Sequence, residues 1–508
     1  MNDFNSQIKK LGDSTMFHMS LGSKELFHSN FLHWISIINW DAFLKIMHDL
    51  AGLKEGEVFW WEKEGVWDCH EKPYHPDNNN IEVRREFHNF DLSIYILDSE
   101  KELDESPCSE DNNSEENKGK WIPVLILENK MKSLPYEEQL ERYTQKAFDE
   151  WRTGEKIKTE ARNSQDKVLE NKYGITFILL SLMEPTLNKY LFPKEKVSKN
   201  PKYTLKLTSE WKHKTYNELL ESIDGTKTMP GWDTKQSLDQ LVVDDYCEFV
   251  GALYALASDY WTIKPKESYR LQVSPWGIED NEDAKAKRNE IEKYKKLRIH
   301  DIHEKLLYDQ LLSMLEQVLE QALEQAFKNK NRPFCRYSKE LIQAQKDKTD
   351  ESERTRIFTN LSYAHGVGIF EIQYILSKDF KPIGTNDKEL FKIIIQVQGD
   401  RYCHMVIYDG IVKEEKDKNG KKQLSVKLDA LTSAWEGNLK EKQDTLAQYI
   451  SINRSTPTFP WETDANWGKY GDNLIYQYVE IPPSATIQEV IDAIVKDIQK
   501  IIDWFRDF

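Results

Sequence analysis

Two carboxylates and one ammonium group stand at the ends of two segments with strand-like sequence. Asp91 opens the segment DLSIYI, and the tripeptide Glu128–Asn129–Lys130 ends the apolar run WIPVLIL. Side chains alternate along a strand, so Glu128 and Lys130 should point to the same face. If the strand of Asp91 is adjacent, these three groups converge, and two carboxylate ligands with open water positions suit a divalent ion such as Mg²⁺. An ordinary ion-pair cluster at a sheet edge is the alternative interpretation.

A second pair of polar residues follows on a predicted helix. Pro135 precedes the segment YEEQLERYTQKAFDEW, and proline is favoured in the first turn of a helix. Gln139 and Tyr143 are four residues apart in it, which places them on one helix face. That face can turn an amide and a phenol toward the metal site suggested by Asp91 and Glu128.

The order Asp, then Glu-x-Lys, then Gln-x-x-x-Tyr resembles the PD-(D/E)XK nuclease superfamily, particularly its RecB-like branch. The matching residues here are Asp91, Glu128, Lys130, Gln139 and Tyr143, and the resemblance covers roughly residues 20–225. It departs from the eponymous motif in having no proline before Asp91. The 37-residue gap from Asp91 to Glu128 is long for a hairpin, and an acidic insertion accounts for it.

The resemblance implies a metal-dependent nuclease that hydrolyses the phosphodiester bonds of DNA, using Mg²⁺ with Mn²⁺ as a substitute. It assigns catalytic roles to Asp91, Glu128, Lys130, Gln139 and Tyr143. It assigns metal binding to Asp91, Glu128, the backbone carbonyl of Asn129 and Glu25, the acid in the family's early helix, which acts directly or through water. Lys130 would orient the attacking water. The resemblance also allows a catalytically inactive nuclease fold that binds nucleic acid or protein. It leaves open DNA or RNA as substrate, endo- or exo-cleavage, and a role in defence or repair.

Charge is unevenly distributed along the chain. The whole protein has a net charge of −16, which disfavours non-specific coating of nucleic acid. Nine carboxylates and one lysine between 98 and 116 indicate a solvated insertion. Residues 120–214 instead contain 19 Lys and Arg against 13 Asp and Glu, a local charge of 19 − 13 = +6. We therefore expect nucleic acid to be held by this region, with Lys132, Arg142 and Lys146 among its contacts.

The pattern of apolar residues predicts an α/β protein with a central mixed β-sheet flanked by helices, followed by a long helix and a smaller α+β C-terminal domain. Predicted helices cover 25–39, 216–223 and 239–258. A predicted strand pair covers 81–97, and single predicted strands cover 121–127, 174–183 and 203–207. The domains are then a nuclease-like domain over 1–262, a linker over 263–283, and residues 284–508, with a β-meander after the helix. The apolar stripe of a continuous 284–328 helix offers a coiled-coil face through which a homodimer could form.

Compartment and membrane signals are few. No apolar run approaches the 18 residues of a membrane-spanning helix, and the first residues lack the apolar segment of a secretory signal. Five cysteines stand far apart with no CxxC pair, which suits a reducing compartment. The sequence therefore predicts a cytoplasmic location with no membrane partner.

Overall fold

The computed structural model divides into two compact units, Met1–Tyr260 and Trp261–Phe508, and each is described by itself. The residues that the structure describes are 3–20, 25–62, 76, 79–98, 120–131, 139–140, 142–144, 146–147, 175–183, 196–197, 204–205, 211–230, 232, 238–324, 334–337, 342, 355–364, 367–376, 392–407, 412–416, 422–426, 468–470 and 474–505. The acidic insertion predicted between 98 and 116, except for Asp98, lies outside them.

The first unit alternates helices and strands. Its helices are α1 (Phe4–Asp13), α2 (Thr15–Ser20), α3 (Glu25–Ile38), α4 (Trp40–Ala51), α5 (which includes 139–140, 142–144 and 146–147), α6 (Tyr216–Thr226) and α7 (Leu238–Asp259). Its strands are β1 (Ile81–Phe87), β2 (Phe90–Asp98), β3 (Lys120–Lys130), β4 (Thr176–Ser181), β5 (Lys196–Val197), β6 (Thr204–Leu205) and β7 (Lys212–Thr215). The predicted α/β class is confirmed.

A five-stranded mixed sheet forms the centre of this unit, in the order β1-β2-β3-β4-β7. β1, β2 and β3 are antiparallel neighbours, whereas β3, β4 and β7 are parallel. β3 is the middle strand, and its residues 122 and 124–127 are fully buried, as expected of an apolar run covered on both faces. Because β3, β4 and β7 are parallel, their carboxyl ends meet at one edge of the sheet.

The fifth strand of the central sheet is not the strand that the sequence predicts over 203–207. Of the predicted strand over 203–207, the described residues Thr204–Leu205 pair with β5 in a separate two-stranded sheet. The central sheet ends instead on β7, whose sequence KHKT carries no apolar pattern. An edge strand needs few apolar residues, and lysines suit it because they discourage pairing with other chains. Here the Lys212 ammonium donates to the carbonyl of Ala51 at the end of α4, and Lys214 pairs with Glu218.

The second unit packs helices on a larger sheet. Its helices are α8 (Tyr269–Val273), α9 (Glu282–Lys296), α10 (His300–Glu324) and α11 (Ile487–Phe505). Its strands are β8 (Phe334–Arg336), β9 (Ile357–Ala364), β10 (Val367–Ile375), β11 (Lys392–Gln398), β12 (Arg401–Ile407), β13 (Val412–Lys416), β14 (Lys422–Val426), β15 (Gly468–Tyr470) and β16 (Leu474–Glu480). Seven of these form one sheet in the order β15-β16-β12-β11-β10-β9-β8, in which β9 to β12 are a meander of successive antiparallel neighbours.

The prediction of one continuous helix over 284–328 is wrong. The chain breaks between α9 and α10, where Arg298 has a left-handed backbone (φ 56°) and the cap at Leu297 closes α9. Of the leucines in the predicted coiled-coil stripe, Leu307, Leu311, Leu315 and Leu319 are buried in the unit's own core, which includes the sheet and α11. Because this face is already covered within the described residues, the helix offers no free apolar stripe for the predicted homodimer.

The segment predicted as a linker over 263–283 is folded into the second unit. It contains α8, and Tyr269 at the start of α8 is fully buried and donates from its hydroxyl to the carbonyl of Gly399. Its proline and glycine residues mark turns rather than a flexible connection. None of the helices in the described ranges is long and apolar enough to cross a membrane.

Candidate active site

The central sheet brings the predicted acidic residues together. Asp91 is the second residue of β2, and Glu128 lies near the carboxyl end of β3. The two strands are antiparallel neighbours with Leu92 opposite Leu127, so one further step along both places Asp91 opposite Glu128. The prediction that these residues lie on neighbouring strands is confirmed. Cross-strand partners share a face, so both carboxyl groups project from the same side of the sheet.

Short contacts connect the groups at this point. The Lys130 ammonium lies 2.6 Å from Oε1 of Glu128, as the period of two along β3 predicts. Oδ2 of Asp91 accepts a hydrogen bond of 2.6 Å from the backbone N–H of Asn129. Only 1% of Glu128 and 6% of Lys130 are exposed. The structure therefore holds a cluster of two carboxyl groups and one ammonium in which Glu128 and Lys130 are buried and Asp91 is half-buried.

Helix α5 adds the amide and the phenol. Nε2 of Gln139 donates to Oε1 of Glu128 over 2.7 Å and to the Tyr143 hydroxyl over 2.9 Å. The Tyr143 ring meets Phe90 of β2 edge-on, with centroids 5.6 Å apart. On the same helix, Thr144 accepts a 2.9 Å hydrogen bond from the indole of Trp211, which holds α5 against the sheet beside β7. Gln139 and Tyr143 thus reach the cluster from one helix face, as their spacing predicts.

Glu25 approaches the cluster from the first position of α3. Helix α3 packs on β1, β2 and β3, and Glu25 is half-buried. Its charge raises the pKa values of Asp91, Glu128 and Lys130, although it is not the largest cause for any of them. The charge of Glu25 therefore acts on the three groups of the site at which the sequence predicts this residue.

With both carboxyl groups ionised, the cluster would carry more negative charge than its lysine can balance, and the pKa values of the two acids are raised accordingly. Burial raises the pKa of Asp91 to about 6. The backbone N–H of Asn129 and the Lys130 ammonium oppose this rise. Burial and then the Asp91 carboxylate raise the pKa of Glu128 to about 8, although Lys130 opposes the rise. Burial lowers the pKa of Lys130, but Glu128 and Glu25 outweigh it, so the pKa lies above its ordinary value and the lysine stays charged. Such strongly perturbed neighbours mark functional sites.

The donor set fits a hard divalent cation. Oε2 of Glu128 is buried and accepts no hydrogen bond from any described residue, and Asp91 lies across the strand pair from it. A divalent cation between them would supply the positive charge that the two carboxylates lack. In the part of the chain that the structure describes, no group of three or more His, Cys, Asp or Glu side chains is placed to hold a metal ion. Two carboxylates with waters and substrate oxygens are the usual Mg²⁺ site, so the residues fit Mg²⁺ better than a metal that needs a full protein cage.

The raised pKa values predict how the metal-free protein responds to pH. Glu128 and Asp91 hold protons more tightly in the folded than in the unfolded state, so the stability that they contribute is present at acidic pH. It is lost as the pH rises through about 6 for Asp91 and about 8 for Glu128. We expect the melting temperature in EDTA to fall from about pH 4, the ordinary pKa of a carboxyl group, to about pH 8, the pKa of Glu128 in the folded protein. Glu128→Gln, which mimics the protonated acid, should flatten this fall.

Thermal melts of wild type and Glu128→Gln across this pH range test the expectation. A difference of about 1 kcal/mol corresponds to a shift of about 2–4 °C for a unit of this size. The control is Glu221→Gln, since Glu221 is exposed on α6 and accepts a hydrogen bond from Asn217. It should follow the wild-type curve. Parallel curves for wild type and Glu128→Gln would mean that Glu128 is not the group whose proton stabilises the fold.

Sequence reasoning missed two polar residues at the same edge of the sheet, Ser181 and His213, and for Tyr216 it predicts packing rather than catalysis. Ser181 ends β4 beside Lys130, and its hydroxyl lies 2.7 Å from Nε2 of His213 on β7. Tyr216 follows β7 directly and is fully buried. Ser181 had a detectable signal, because it is the polar residue that ends the apolar run ITFILL, as Glu128 ends the run of β3.

Comparison of the chain with protein-family models, curated proteins and solved structures returns no match.

Proposed function

We propose that this protein is a metal-dependent nuclease that hydrolyses phosphodiester bonds of DNA. The observation that carries the proposal is the convergence of Asp91, Glu128, Lys130, Gln139 and Tyr143 at the carboxyl end of the middle strand. These five residues were selected by type and spacing as a PD-(D/E)XK-like set. Their convergence at one edge of the sheet is what such an active site requires.

The topology supports a restriction-endonuclease-like fold for the first unit. Such a fold needs a mixed sheet whose antiparallel part supplies the acidic residues and whose parallel part follows a crossover helix. β1 to β3 are antiparallel, β3 and β4 are parallel, and α5 lies between β3 and β4 in the chain. The acids Asp91 and Glu128 stand at the junction of the two parts.

The proposed roles follow from position and charge. Asp91 and Glu128 would hold Mg²⁺, with the Asn129 carbonyl, and with Glu25 acting directly or through water. Bound there, the ion supplies a water of lowered pKa and neutralises charge on the scissile phosphate. Lys130 stays protonated beside Glu128, so it can hold the attacking water and stabilise the negative charge that develops on the phosphate.

Gln139 and Tyr143 lie beside Glu128 on helix α5 and border the site on that side. The Gln139 amide connects the Glu128 carboxylate to the Tyr143 hydroxyl, so it fixes the orientation of both. Burial and the Glu128 charge raise the pKa of Tyr143, which therefore remains a neutral hydrogen-bond donor at neutral pH. A neutral phenol can donate to a phosphate oxygen without adding repulsion.

Recognition of DNA is expected to involve the exposed face of α5. Arg142 is exposed there, with its guanidinium 5.8 Å from the centre of the Tyr143 ring, whereas Lys146 donates to the carbonyl of His88. Lys132, the third predicted contact, lies outside the described residues. Arg142→Gln should weaken DNA binding and reduce the slope of log K against log salt by about 0.9 if one phosphate contact is lost.

Fluorescence anisotropy with labelled duplex DNA at several salt concentrations measures this slope. The matched control is Lys9→Gln, because Lys9 is exposed on α1, which packs on α7. It should leave the slope unchanged. Equal slopes for wild type and Arg142→Gln would move the DNA contacts away from this face of α5.

A second candidate function is a nuclease fold that binds nucleic acid without cleaving it. The observation that favours it is that only two carboxylate side chains meet at the site within the described ranges, with no third acidic ligand beside them. Incubation of single-stranded, double-stranded and branched DNA and of RNA with Mg²⁺, Mn²⁺ or EDTA separates the two functions. The nuclease proposal predicts metal-dependent products from DNA, whereas binding of every substrate without products would favour the binding module.

A further inference from the structure

Tyr216 is a fully buried tyrosine whose hydroxyl has no hydrogen-bond partner among the residues that the structure describes. The hydroxyl groups of other buried tyrosines form hydrogen bonds: Tyr246 pairs with Nδ1 of His28, Tyr269 donates to the carbonyl of Gly399, and Tyr308 accepts from the N–H of Gly399. A buried polar group without a partner is costly, and its retention calls for a ligand or a functional role. A phenylalanine would fill the same space without this cost.

The position of Tyr216 connects it to the candidate active site. Lys130, Ser181 and Thr215 lie side by side at the carboxyl ends of β3, β4 and β7, and Tyr216 is the next residue along the chain. The Tyr216 ring is 5.0 Å from that of His28, which meets it edge-on. His28 follows Glu25 by three residues on α3, so the two share one helix face. Tyr216 is therefore packed beneath the turn that carries Glu25.

The electrostatics agree with this placement. Burial raises the pKa of Tyr216 well above its ordinary value, and Tyr246 and then the charges of Glu25 and Asp91 raise it further. By contrast, no carboxylate contributes to the raised pKa of Tyr246, which results from burial and from Cys247. Tyr216 is thus a neutral donor in the field of two acids of the site.

We propose that Tyr216 is a positioning residue whose hydroxyl donates a hydrogen bond to Glu25 and holds this carboxylate toward Asp91 when Mg²⁺ is bound. This inference rests on the proposed function. This role explains why α3 begins with an acid near the site. In the described residues that acid does not form a three-carboxylate group with Asp91 and Glu128. The proposed bond also gives the unpartnered hydroxyl a role that appears only in the loaded state.

The test compares Tyr216→Phe with Tyr246→Phe in the full-length protein. Both variants remove one buried hydroxyl and keep the ring. We expect Tyr216→Phe to keep or raise the melting temperature in EDTA, because it deletes an unpartnered polar group. Its affinity for Mg²⁺ alone, measured by isothermal titration calorimetry, should fall about 10-fold, the effect of losing a group that orients a metal ligand. Tyr246→Phe loses its bond to His28, so it should lower the melting temperature and leave Mg²⁺ affinity unchanged.

The outcomes separate this inference from the function on which it rests. If wild type binds Mg²⁺ and Tyr216→Phe binds it equally well, Tyr216 has no positioning role and the nuclease proposal is untouched. A lowered melting temperature for Tyr216→Phe with unchanged affinity would assign it a structural role and overturn the inference in the same way. If wild type binds no Mg²⁺, the metal-dependent function itself fails, and this inference fails with it.

Discussion

Lys130→Met is expected to leave Mg²⁺ and DNA binding near the wild-type level while cleavage falls about 10³-fold. Lys130 is buried at the end of β3, 2.6 Å from Glu128, and stays charged because Glu128 and Glu25 outweigh the effect of its burial. Its ammonium acts on charge that develops only in the transition state, and removal of one such group costs about 10²–10³-fold in rate. Methionine keeps the length of the side chain and removes the charge.

Single-turnover cleavage of labelled DNA with saturating Mg²⁺ measures the expected loss. The matched control is Lys227→Met, since Lys227 is ion-paired with Asp224 and Asp244 in the same unit but outside the cluster. It should keep its cleavage rate. If Lys130→Met cleaves as fast as wild type, Lys130 acts only in an ion pair and the proposed mechanism is wrong.

Asp91→Asn and Glu128→Gln are each expected to weaken Mg²⁺ binding at least 100-fold and to abolish cleavage. Loss of a group that merely orients a metal ligand costs about 10–100-fold in affinity, so loss of a ligand itself should cost more. Asparagine at position 91 can still accept the hydrogen bond from the Asn129 N–H, so this variant should fold. Isothermal titration calorimetry with Mg²⁺ and a cleavage assay give the two readouts.

Glu218→Gln is the matched control for these acid-to-amide changes. Glu218 lies on α6, where it forms the capping box with Thr215 and pairs with Lys214. Burial raises the pKa of Glu218, but its bonds to Lys214 and Thr215 outweigh this and leave it lowered, the opposite of Glu128. Glu218→Gln should bind Mg²⁺ normally. A variant of Asp91 or Glu128 that binds Mg²⁺ as wild type does would show that the ion is held elsewhere.

The sequence predicts the centre of the site well because strand and helix periods are strict. The alternation of β3 places Glu128 and Lys130 on one face, and the helical spacing places Gln139 and Tyr143 together. Both follow from local geometry. The alignment of Asp91 with Glu128 depends instead on strand pairing, which is not local. The order of the motifs along the chain, with Asp before Glu-x-Lys, predicted that the two strands are neighbours.

The remaining features depend on contacts that no local pattern encodes. The unpartnered hydroxyl of Tyr216 belongs to a side chain that packs against His28 of α3, and the two residues are distant in the chain. The strand β7 is polar because it lies at an edge, so apolar alternation could not reveal it. The break at Arg298 lies inside a strongly helical pattern, and the core of the second unit determines which leucines are buried.

The most direct test of the account is cleavage of end-labelled DNA by the full-length protein in Mg²⁺, in EDTA, and by Glu128→Gln in Mg²⁺. All preparations must be purified identically, so that a contaminating nuclease would act equally in each. The account predicts products only from wild type with Mg²⁺. Equal product from wild type and Glu128→Gln, or from wild type in EDTA, would contradict a metal-dependent active site at Asp91, Glu128 and Lys130.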